Sequence, residues 1–191
     1  MSRILIIGDS FAAHHPQGWT CQLGNDHEVT NLASNGASQY RLFRTVTQTN
    51  LDGFDFVVVG HTSPNRIYVE KNPYYQQSQT HHNCDLIYED MRSKLPDSFA
   101  GHVTWWFENV FDLEQAKHTH ELLCDKIKAL VAHKPVLHVS FFEIGYIADI
   151  KILHHIWNNH PGTINHLDET GNQLVAKFVK DQVKLYKQRT L

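Results

Sequence analysis

The fold is decided by the stretch Arg3-Ile4-Leu5-Ile6-Ile7-Gly8-Asp9-Ser10-Phe11. Its four apolar residues, Ile4 to Ile7, end at a glycine, which is typical of a short strand covered on both faces rather than of one helix face. Ser10 therefore follows the carboxyl end of a strand, and open α/β sheets bind their ligands at that end.

A serine in this place has two common uses. We expect a helix from Phe11 to Leu23, whose first turn would put unpaired N–H groups and a positive dipole end beside the hydroxyl. Ser10 can then attack a carbonyl while its own N–H stabilises the oxyanion. It can equally do no more than cap that helix. The tripeptide alone does not separate nucleophile from cap.

Outward from this strand, the chain alternates strand and helix patterns. We expect strands at 3–8, 27–33, 54–60 and 135–142, and helices at 11–24, 38–49, 110–133 and 168–187. This order predicts an α/β fold with a mainly parallel sheet and helices on both faces. The length of 191 residues suits one domain, 1–191, with an irregular insertion at about 66–106.

Three more segments extend the motif. They are Asn31-Leu32-Ala33-Ser34-Asn35-Gly36-Ala37-Ser38, Val57-Val58-Val59-Gly60-His61-Thr62-Ser63, and Asn165-His166-Leu167-Asp168. With Gly8-Asp9-Ser10 they resemble the SGNH/GDSL hydrolase superfamily over nearly the whole chain. Phe11 differs, because it occupies the position of the leucine in the family's Gly-Asp-Ser-Leu motif. The resemblance implies a three-layer α/β/α sandwich of flavodoxin-like SGNH type. It also implies Ser10 as nucleophile and oxyanion donor, Gly36 as second donor and His166 as base, with Gly8 and Asp9 supporting the motif.

The third segment departs from the family pattern. The oxyanion asparagine is replaced by Thr62, whose hydroxyl can donate one hydrogen bond over a shorter reach. Asn65 supplies an amide instead if the loop bends back. Alternatively, Thr62 and Ser63 only make local turn bonds ahead of Pro64.

The fourth segment departs as well. The family's acid lies three residues before the histidine, where this chain has Thr163. A carboxylate normally holds the histidine in the tautomer that accepts the serine proton. Asp168 is close, but its position predicts a cap for the final helix. We therefore expect a dyad of Ser10 and His166 whose third member is unassigned.

Aromatic residues are concentrated in the stretch from Arg66 to Trp106, and they either line a sugar or acyl site or pack into the core or a subunit contact. The stretch includes, with two histidines, Tyr68, Tyr74, Tyr75, His81, His82, Tyr88, Trp105 and Trp106. A second irregular piece, from Glu143 to Thr163, is predicted to form another wall of the site. Its aromatic residues, together with Phe142 directly before it, are Tyr146 and Trp157.

Composition narrows the function classes. A net charge of -3 gives no basic footprint for nucleic acid. The three cysteines, Cys21, Cys84 and Cys124, form no CxxC pair, which indicates reduced residues of a cytoplasmic protein. We expect no signal peptide, no membrane span and no membrane partner.

Histidine is abundant, with 15 residues. His120 and Cys124 would share a helix face, but no zinc-site spacing appears, so we expect no metal and no cofactor. The prediction is an esterase acting on a small-molecule or glycan ester, with homo-oligomerisation open. The alternatives are a non-catalytic binding protein with the same fold, and a phosphate or nucleotide binder, which the missing Gly-rich loop disfavours.

Overall fold

The computed structural model describes residues 1–70, 72, 84–87, 97–142 and 151–189. The strands within these residues are β1 (Arg3–Ile7), β2 (Glu28–Asn31), β3 (Phe56–His61), β4 (Arg66–Ile67), β5 (Leu86–Ile87), β6 (Val136–Ser140) and β7 (Pro161–Ile164). The α-helices are α1 (Trp19–Leu23), α2 (Gln39–Gln48), α3 (Asp97–Asn109), α4 (Leu113–Val131), α5 (Lys151–Asn159) and α6 (Glu169–Arg189).

The central sheet has four strands in the order β2-β1-β3-β6. Every neighbouring pair is parallel, and Ile4 on β1 lies opposite Val29 on one side and Phe56 on the other. The chain passes from β1 to β2 at one edge and then returns past β1 to β3. Parallel sheets of this kind bind ligands at the carboxyl ends of their strands, where the direction of winding reverses.

Helices cover both faces of the sheet, as the alternating sequence pattern predicts. On one face, side chains of β1 and β3 pack against α1, α5 and α6, among them Ile4, Ile6, Val58, Trp19, Leu153 and Val179. On the other face they pack against α2 and α4, among them Leu5, Ile7, Val57, Leu42, Val46 and Ile127. The apolar run after Arg3 is thus buried on both sides, and the predicted α/β sandwich is confirmed.

The predicted helix at 11–24 is wrong over its first half. Helix α1 begins only at Trp19, with Gly18 as its N-cap. The Asp9 carboxylate accepts a hydrogen bond from the Phe11 N–H at 3.0 Å, and the Asp9 carbonyl accepts one from the Ala12 N–H at 3.0 Å. Such local bonds stabilise a turn in competition with a helix. The first turn of a helix therefore does not lie beside Ser10.

The two stretches predicted to be irregular both contain regular structure. The stretch from 66 to 106 includes β4, β5 and most of α3, and the piece from 143 to 163 includes α5 and most of β7. No helix among the described residues is both long and apolar enough to cross a membrane.

Candidate functional site

Ser10 and His166 are brought together although 156 residues separate them in the chain. The hydroxyl oxygen of Ser10 lies 2.9 Å from Nε2 of His166. Ser10 is half-buried in the turn after β1, and His166 is exposed in the turn after β7. At this distance the imidazole can accept the hydroxyl proton, and an incoming molecule can reach both groups from solvent.

The turn that carries His166 has an uncommon backbone conformation. Asn165 and His166 have φ values of 52° and 66°, in the left-handed region, where asparagine and histidine are enriched among non-glycine residues. The Asn165 amide donates to the carbonyl of Ala13 at 2.7 Å, and the carbonyl of His166 accepts from the Gly162 N–H at 3.1 Å. These bonds fix the turn against the segment that follows Ser10.

The ring of Phe11 packs against the imidazole of His166, the predicted base. Its buried ring stacks on Phe141 with centroids 4.5 Å apart, and it meets Trp157 edge-on. The same ring lies 4.5 Å from the imidazole of His166. The phenylalanine beside the serine therefore limits how the imidazole can turn. Phe142 also packs on this ring, so two of the aromatic residues predicted near the site contact it, while Tyr146 lies outside the described residues.

Asp9, the residue before the serine, is buried, and its carboxylate has several polar partners. Besides the Phe11 N–H, its carboxylate accepts from the Thr62 hydroxyl at 2.9 Å and pairs with the Arg66 guanidinium at 2.9 Å. The side chains of Arg66 and Asp9 are only 8% and 4% exposed. Arg66 also donates to the carbonyl of Ala37 at 3.2 Å. Sequence reasoning gave Arg66 no role, because nothing in its local pattern points to an ion pair across the sheet.

Neither candidate for the third oxyanion donor is hydrogen-bonded to Ser10 among the described residues. Thr62 is fully buried and donates its hydroxyl proton to Asp9. Asn65 makes no hydrogen bond to Ser10 among the described residues. Its side chain borders a cavity of about 300 Å³ lined by Phe107, Phe111 and Leu113. An oxyanion role for the Thr62 hydroxyl requires it to leave Asp9, and the oxyanion role of either residue stays a prediction.

The backbone N–H groups predicted to hold an oxyanion, those of Ser10 and Gly36, have no hydrogen-bond acceptor among the described residues. Gly36 has a φ of +65°, and a Cβ there would lie 2.8 Å from Sγ of Cys84. Glycine is the residue that tolerates both this conformation and this close approach.

Asp168 serves the final helix, as predicted. One carboxylate oxygen accepts from the Gly171 N–H at 2.6 Å, and the other lies 3.3 Å from Nδ1 of His160. The Gly171 N–H is the main reason that the pKa of Asp168 is lowered, and His160 adds to the effect. Thr163 is exposed on β7. The acid that would complete a triad with Ser10 and His166 remains unassigned, and Asp149 lies outside the described residues.

A buried histidine network lies behind Thr62. His120 and Cys124 share the inner face of α4, as predicted, with Sγ 3.7 Å from Nδ1, and Nε2 of His120 lies 2.6 Å from the Thr62 carbonyl. His61 joins them from β3, with Nδ1 3.3 Å from the same sulfur. Sequence reasoning missed His61, since only the fold brings β3 to α4.

Burial favours the neutral form of both histidines. Removal from water lowers the pKa of His120 to about 4, and it lowers the pKa of His61 well below its ordinary value. The Gln39 amide nitrogen lies 2.8 Å from Nδ1 of His61, so the neutral rings have polar partners. Within the described part of the chain, no group of three or more His, Cys, Asp or Glu side chains is arranged to hold a metal ion.

A cavity of about 620 Å³ lies between the start of α2, the segment after β3, the end of α3 and one face of α4. Ser10 and His166 do not line it. Arg66 does, and its guanidinium reaches from the cavity to Asp9. The cavity is lined by Gln39, Tyr40, Pro64, Arg66, Ile67, Tyr68, Trp106, Val110, Phe111, Asp112, Gln115, Ala116, Thr119, His120 and Leu123.

The predicted aromatic stretch contributes to this cavity in part. Tyr68 and Trp106 line it, whereas the side chain of Trp105 is not among its walls and the residue is 59% exposed. The remaining members of the stretch lie outside the described residues: Tyr74, Tyr75, His81, His82 and Tyr88.

Comparison with known proteins gives distant structural likenesses. No family model and no curated protein matches the chain. A possible lipase from Chitinophaga pinensis DSM 2588 is 11% identical with a TM-score of 0.33 over 73% of this chain and 48% of that one, so the match spans about half of that protein. The lipase Lip_vut3 from a goat rumen metagenome is 10% identical with a TM-score of 0.40, over 95% of this chain and 97% of that one. Both likenesses are too distant to assign a family.

Proposed function

We propose that the protein is a serine hydrolase of the SGNH/GDSL type that cleaves an ester, with a small acyl group on a sugar, a glycan or another alcohol. The observation that carries the proposal is the 2.9 Å contact between Oγ of Ser10 and Nε2 of His166. A nucleophile within hydrogen-bond reach of a base is the arrangement that acyl transfer requires. Its place after β1, at the carboxyl edge of a parallel sheet, agrees with where such sheets bind ligands.

In the proposed reaction, Oγ of Ser10 attacks the ester carbonyl while Nε2 of His166 takes the hydroxyl proton. The carbonyl oxygen becomes an oxyanion, and the N–H groups of Ser10 and Gly36 donate to it. The carbon–oxygen bond to the alcohol then breaks, and His166 returns the proton to the departing alkoxide. Water, activated by the same imidazole, releases the acyl group as a carboxylic acid and restores the serine.

The third oxyanion donor is Thr62 or Asn65 in this proposal. Thr62 would have to exchange its bond to Asp9 for one to the substrate, at the cost of a buried hydrogen bond. This cost, together with the unassigned acid, favours a slow enzyme. It also favours the alternative function, a binding protein that retains the fold and the cavity without turnover.

The test is covalent labelling with a serine-directed fluorophosphonate followed by peptide mapping. We expect one adduct on Ser10, in which the serine oxygen displaces fluoride from phosphorus. Ser10→Ala should abolish labelling and lower the hydrolysis of p-nitrophenyl acetate by about a hundredfold or more.

Ser2→Ala is the matched control for this test. It removes a hydroxyl near the start of β1 that has no partner among the described residues, so labelling and turnover should stay at the parental level. Hydrolysis by Ser10→Ala within about threefold of the parent would exclude the mechanism. A folded protein that is neither labelled nor active would favour the binding protein.

A further inference from the structure

Two residues from a later part of the chain, Cys84 and Asp85, lie against the loop that carries Gly36. The Cys84 thiol donates to the carbonyl of Asn35 at 3.0 Å, across 49 residues of sequence. The Asp85 N–H donates to the carbonyl of Gly36 at 3.2 Å. Both peptide groups of this glycine are therefore bonded through their carbonyls to the same pair of residues.

These bonds set the direction of the Gly36 N–H. The carbonyl and the N–H of a trans peptide group lie in one plane and point in opposite directions, and none of the described peptide bonds is cis. Because the Asn35 carbonyl points to the Cys84 thiol, the Gly36 N–H of the same peptide group points away from it. A rotation of this peptide group would break the bond to the thiol.

Asp85 is itself held by four donors. Its side chain is fully buried, and a buried carboxylate is stable when it is paired and hydrogen-bonded. Arg41 donates from Nε at 3.0 Å and from Nη2 at 2.6 Å. The N–H groups of Ser38 and Val69 donate at 2.8 Å and 3.0 Å. Ser38 is the N-cap of α2, so Asp85 is fixed to the point where the Gly36 loop ends.

The same loop is bonded to the strand end that precedes the proposed nucleophile. The Ser34 N–H donates to the carbonyl of Gly8 at 3.1 Å, and the carbonyl of Ala37 accepts from Arg66 at 3.2 Å. Gly36 lies between Ser34 and Ala37 in the chain. The loop is thus attached to the nucleophile turn on both sides of Gly36, and the cysteine and aspartate fix the part in between.

We propose that Cys84 and Asp85 are positioning residues of the oxyanion hole, which direct the Gly36 N–H at the carbonyl oxygen of the substrate. The inference rests on the proposed function and adds to it two residues that act through Gly36. When Oγ of Ser10 attacks, His166 takes the hydroxyl proton and the carbonyl electron pair moves to oxygen. A donor already fixed at that oxygen stabilises the charge without reorganisation. Since the charge develops only in the transition state, a displaced donor lowers kcat and leaves KM nearly unchanged.

The experiment removes the thiol donor and then restores a donor at the same place. Cys84→Ala leaves the Asn35 carbonyl without its bond, whereas Cys84→Ser keeps a hydroxyl that can donate to it. Asp85→Asn is a second variant, which removes the buried charge and keeps the size of the side chain. Val131→Ala is the matched control, because Val131 is also buried but ends α4 ahead of the start of β6, at the opposite edge of the sheet from the proposed site.

Thermal melts identify the folded variants, and complete labelling with a fluorophosphonate counts the reactive Ser10 in each. Two measurements are then made per labelled serine. The first is kcat and KM for p-nitrophenyl acetate. The second is the inhibition constant of 1,1,1-trifluoro-2-pentanone. Oγ of Ser10 adds to the carbonyl carbon of this ketone while His166 takes the proton, and the resulting hemiketal oxyanion resembles the transition state.

In Cys84→Ala we expect kcat to fall by about tenfold or more while KM stays within about threefold. The inhibition constant of the ketone should rise by the factor by which kcat/KM falls, because both report the same oxyanion. Asp85→Asn should change these quantities in the same direction. Cys84→Ser and Val131→Ala should stay within about threefold of the parent. A purely structural role would lower the melting temperature or the number of labelled serines without these changes.

The outcomes separate this inference from the proposed function. If Ser10 of the parent is labelled and folded Cys84→Ala keeps its kcat and its ketone inhibition, the positioning role is overturned and the hydrolase stands. Losses as large in Cys84→Ser or in Val131→Ala also overturn it. If Cys84→Ala does not fold, the same comparison is made on Asp85→Asn. A folded parent in which Ser10 is not labelled overturns the hydrolase and the positioning role together.

Discussion

The ion pair between Arg66 and Asp9 should contribute far more to stability than an exposed pair with the same geometry. Its atoms lie 2.9 Å apart, and the two side chains are 8% and 4% exposed. Replacing Arg66 by methionine keeps most of the chain length but leaves the Asp9 carboxylate buried without its cation. Removing one partner of a buried pair typically costs about 3–5 kcal/mol. We expect Arg66→Met to lower the free energy of unfolding by that amount.

The chain supplies a control of matched distance. Lys177 and Asp181 on α6 are also 2.9 Å apart, but their side chains are 75% and 53% exposed. Exposed pairs contribute about 0–1 kcal/mol because water screens the charges. Lys177→Met should therefore change the stability by less than about 1 kcal/mol. The comparison isolates burial from distance.

The assay is urea unfolding followed by circular dichroism near neutral pH, with the double variant Asp9→Asn, Arg66→Met included. Removal of the carboxylate charge should recover part of the loss, since the uncompensated charge is its main cause. If Arg66→Met does not fold, the recovery is judged from whether the double variant does. A loss in Arg66→Met as small as in Lys177→Met would refute the reasoning.

Two other predictions concern the histidine network and the His166 turn. The pKa of His120 is lowered to about 4 in the folded protein, so below about pH 6.5 the unfolded chain takes up a proton at this histidine while the folded protein does not. The contribution of neutral His120 to the free energy of unfolding is therefore complete above about pH 6.5 and is lost as the pH falls towards 4. Between pH 7 and 4.5, the free energy of unfolding measured in urea should fall by about 2–3 kcal/mol more in the parent than in His120→Gln. An equal fall in the two proteins would contradict the assignment. Asn165→Ala removes the hydrogen bond to Ala13 and places an alanine in the left-handed backbone conformation, which costs about 1–2 kcal/mol. Because the turn then holds His166 less firmly, kcat for p-nitrophenyl acetate should fall more than KM rises. Asn165→Gly relieves only the backbone cost, and full activity in the alanine variant would exclude a positioning role for the amide.

The sequence was sufficient for features that short stretches determine. The run from Ile4 to Ile7 is apolar on both faces, so its burial in a parallel sheet follows from the residues themselves. The cap of α6 by Asp168 is local in the same sense. The pairing of Ser10 with His166 is not local, and it was predicted only because the segments resemble a known arrangement.

Other features depend on contacts that no local pattern encodes. The helix predicted at Phe11 gave way to a turn because the Asp9 carboxylate, held in place by Thr62 and Arg66, accepts the Phe11 N–H. The Thr62 hydroxyl donates to the same Asp9 carboxylate, and its local sequence does not predict this bond either. His61 meets Cys124 only after β3 and α4 have packed. Periodicity reports which face of an element is buried, but not which polar group it meets there.

The contacts that assemble the proposed dyad join the two ends of the described chain. Asn165 bonds to Ala13 across 152 residues, Asn172 bonds to Trp19 across 153, and His166 meets Ser10 across 156. Contacts of such high sequence separation carry a large loop-closure cost and tend to form late in folding. During synthesis, the serine would therefore remain without its base until the carboxyl-terminal segment has left the ribosome and docked. An ester-hydrolysis assay during refolding would therefore follow the completion of folding rather than its onset.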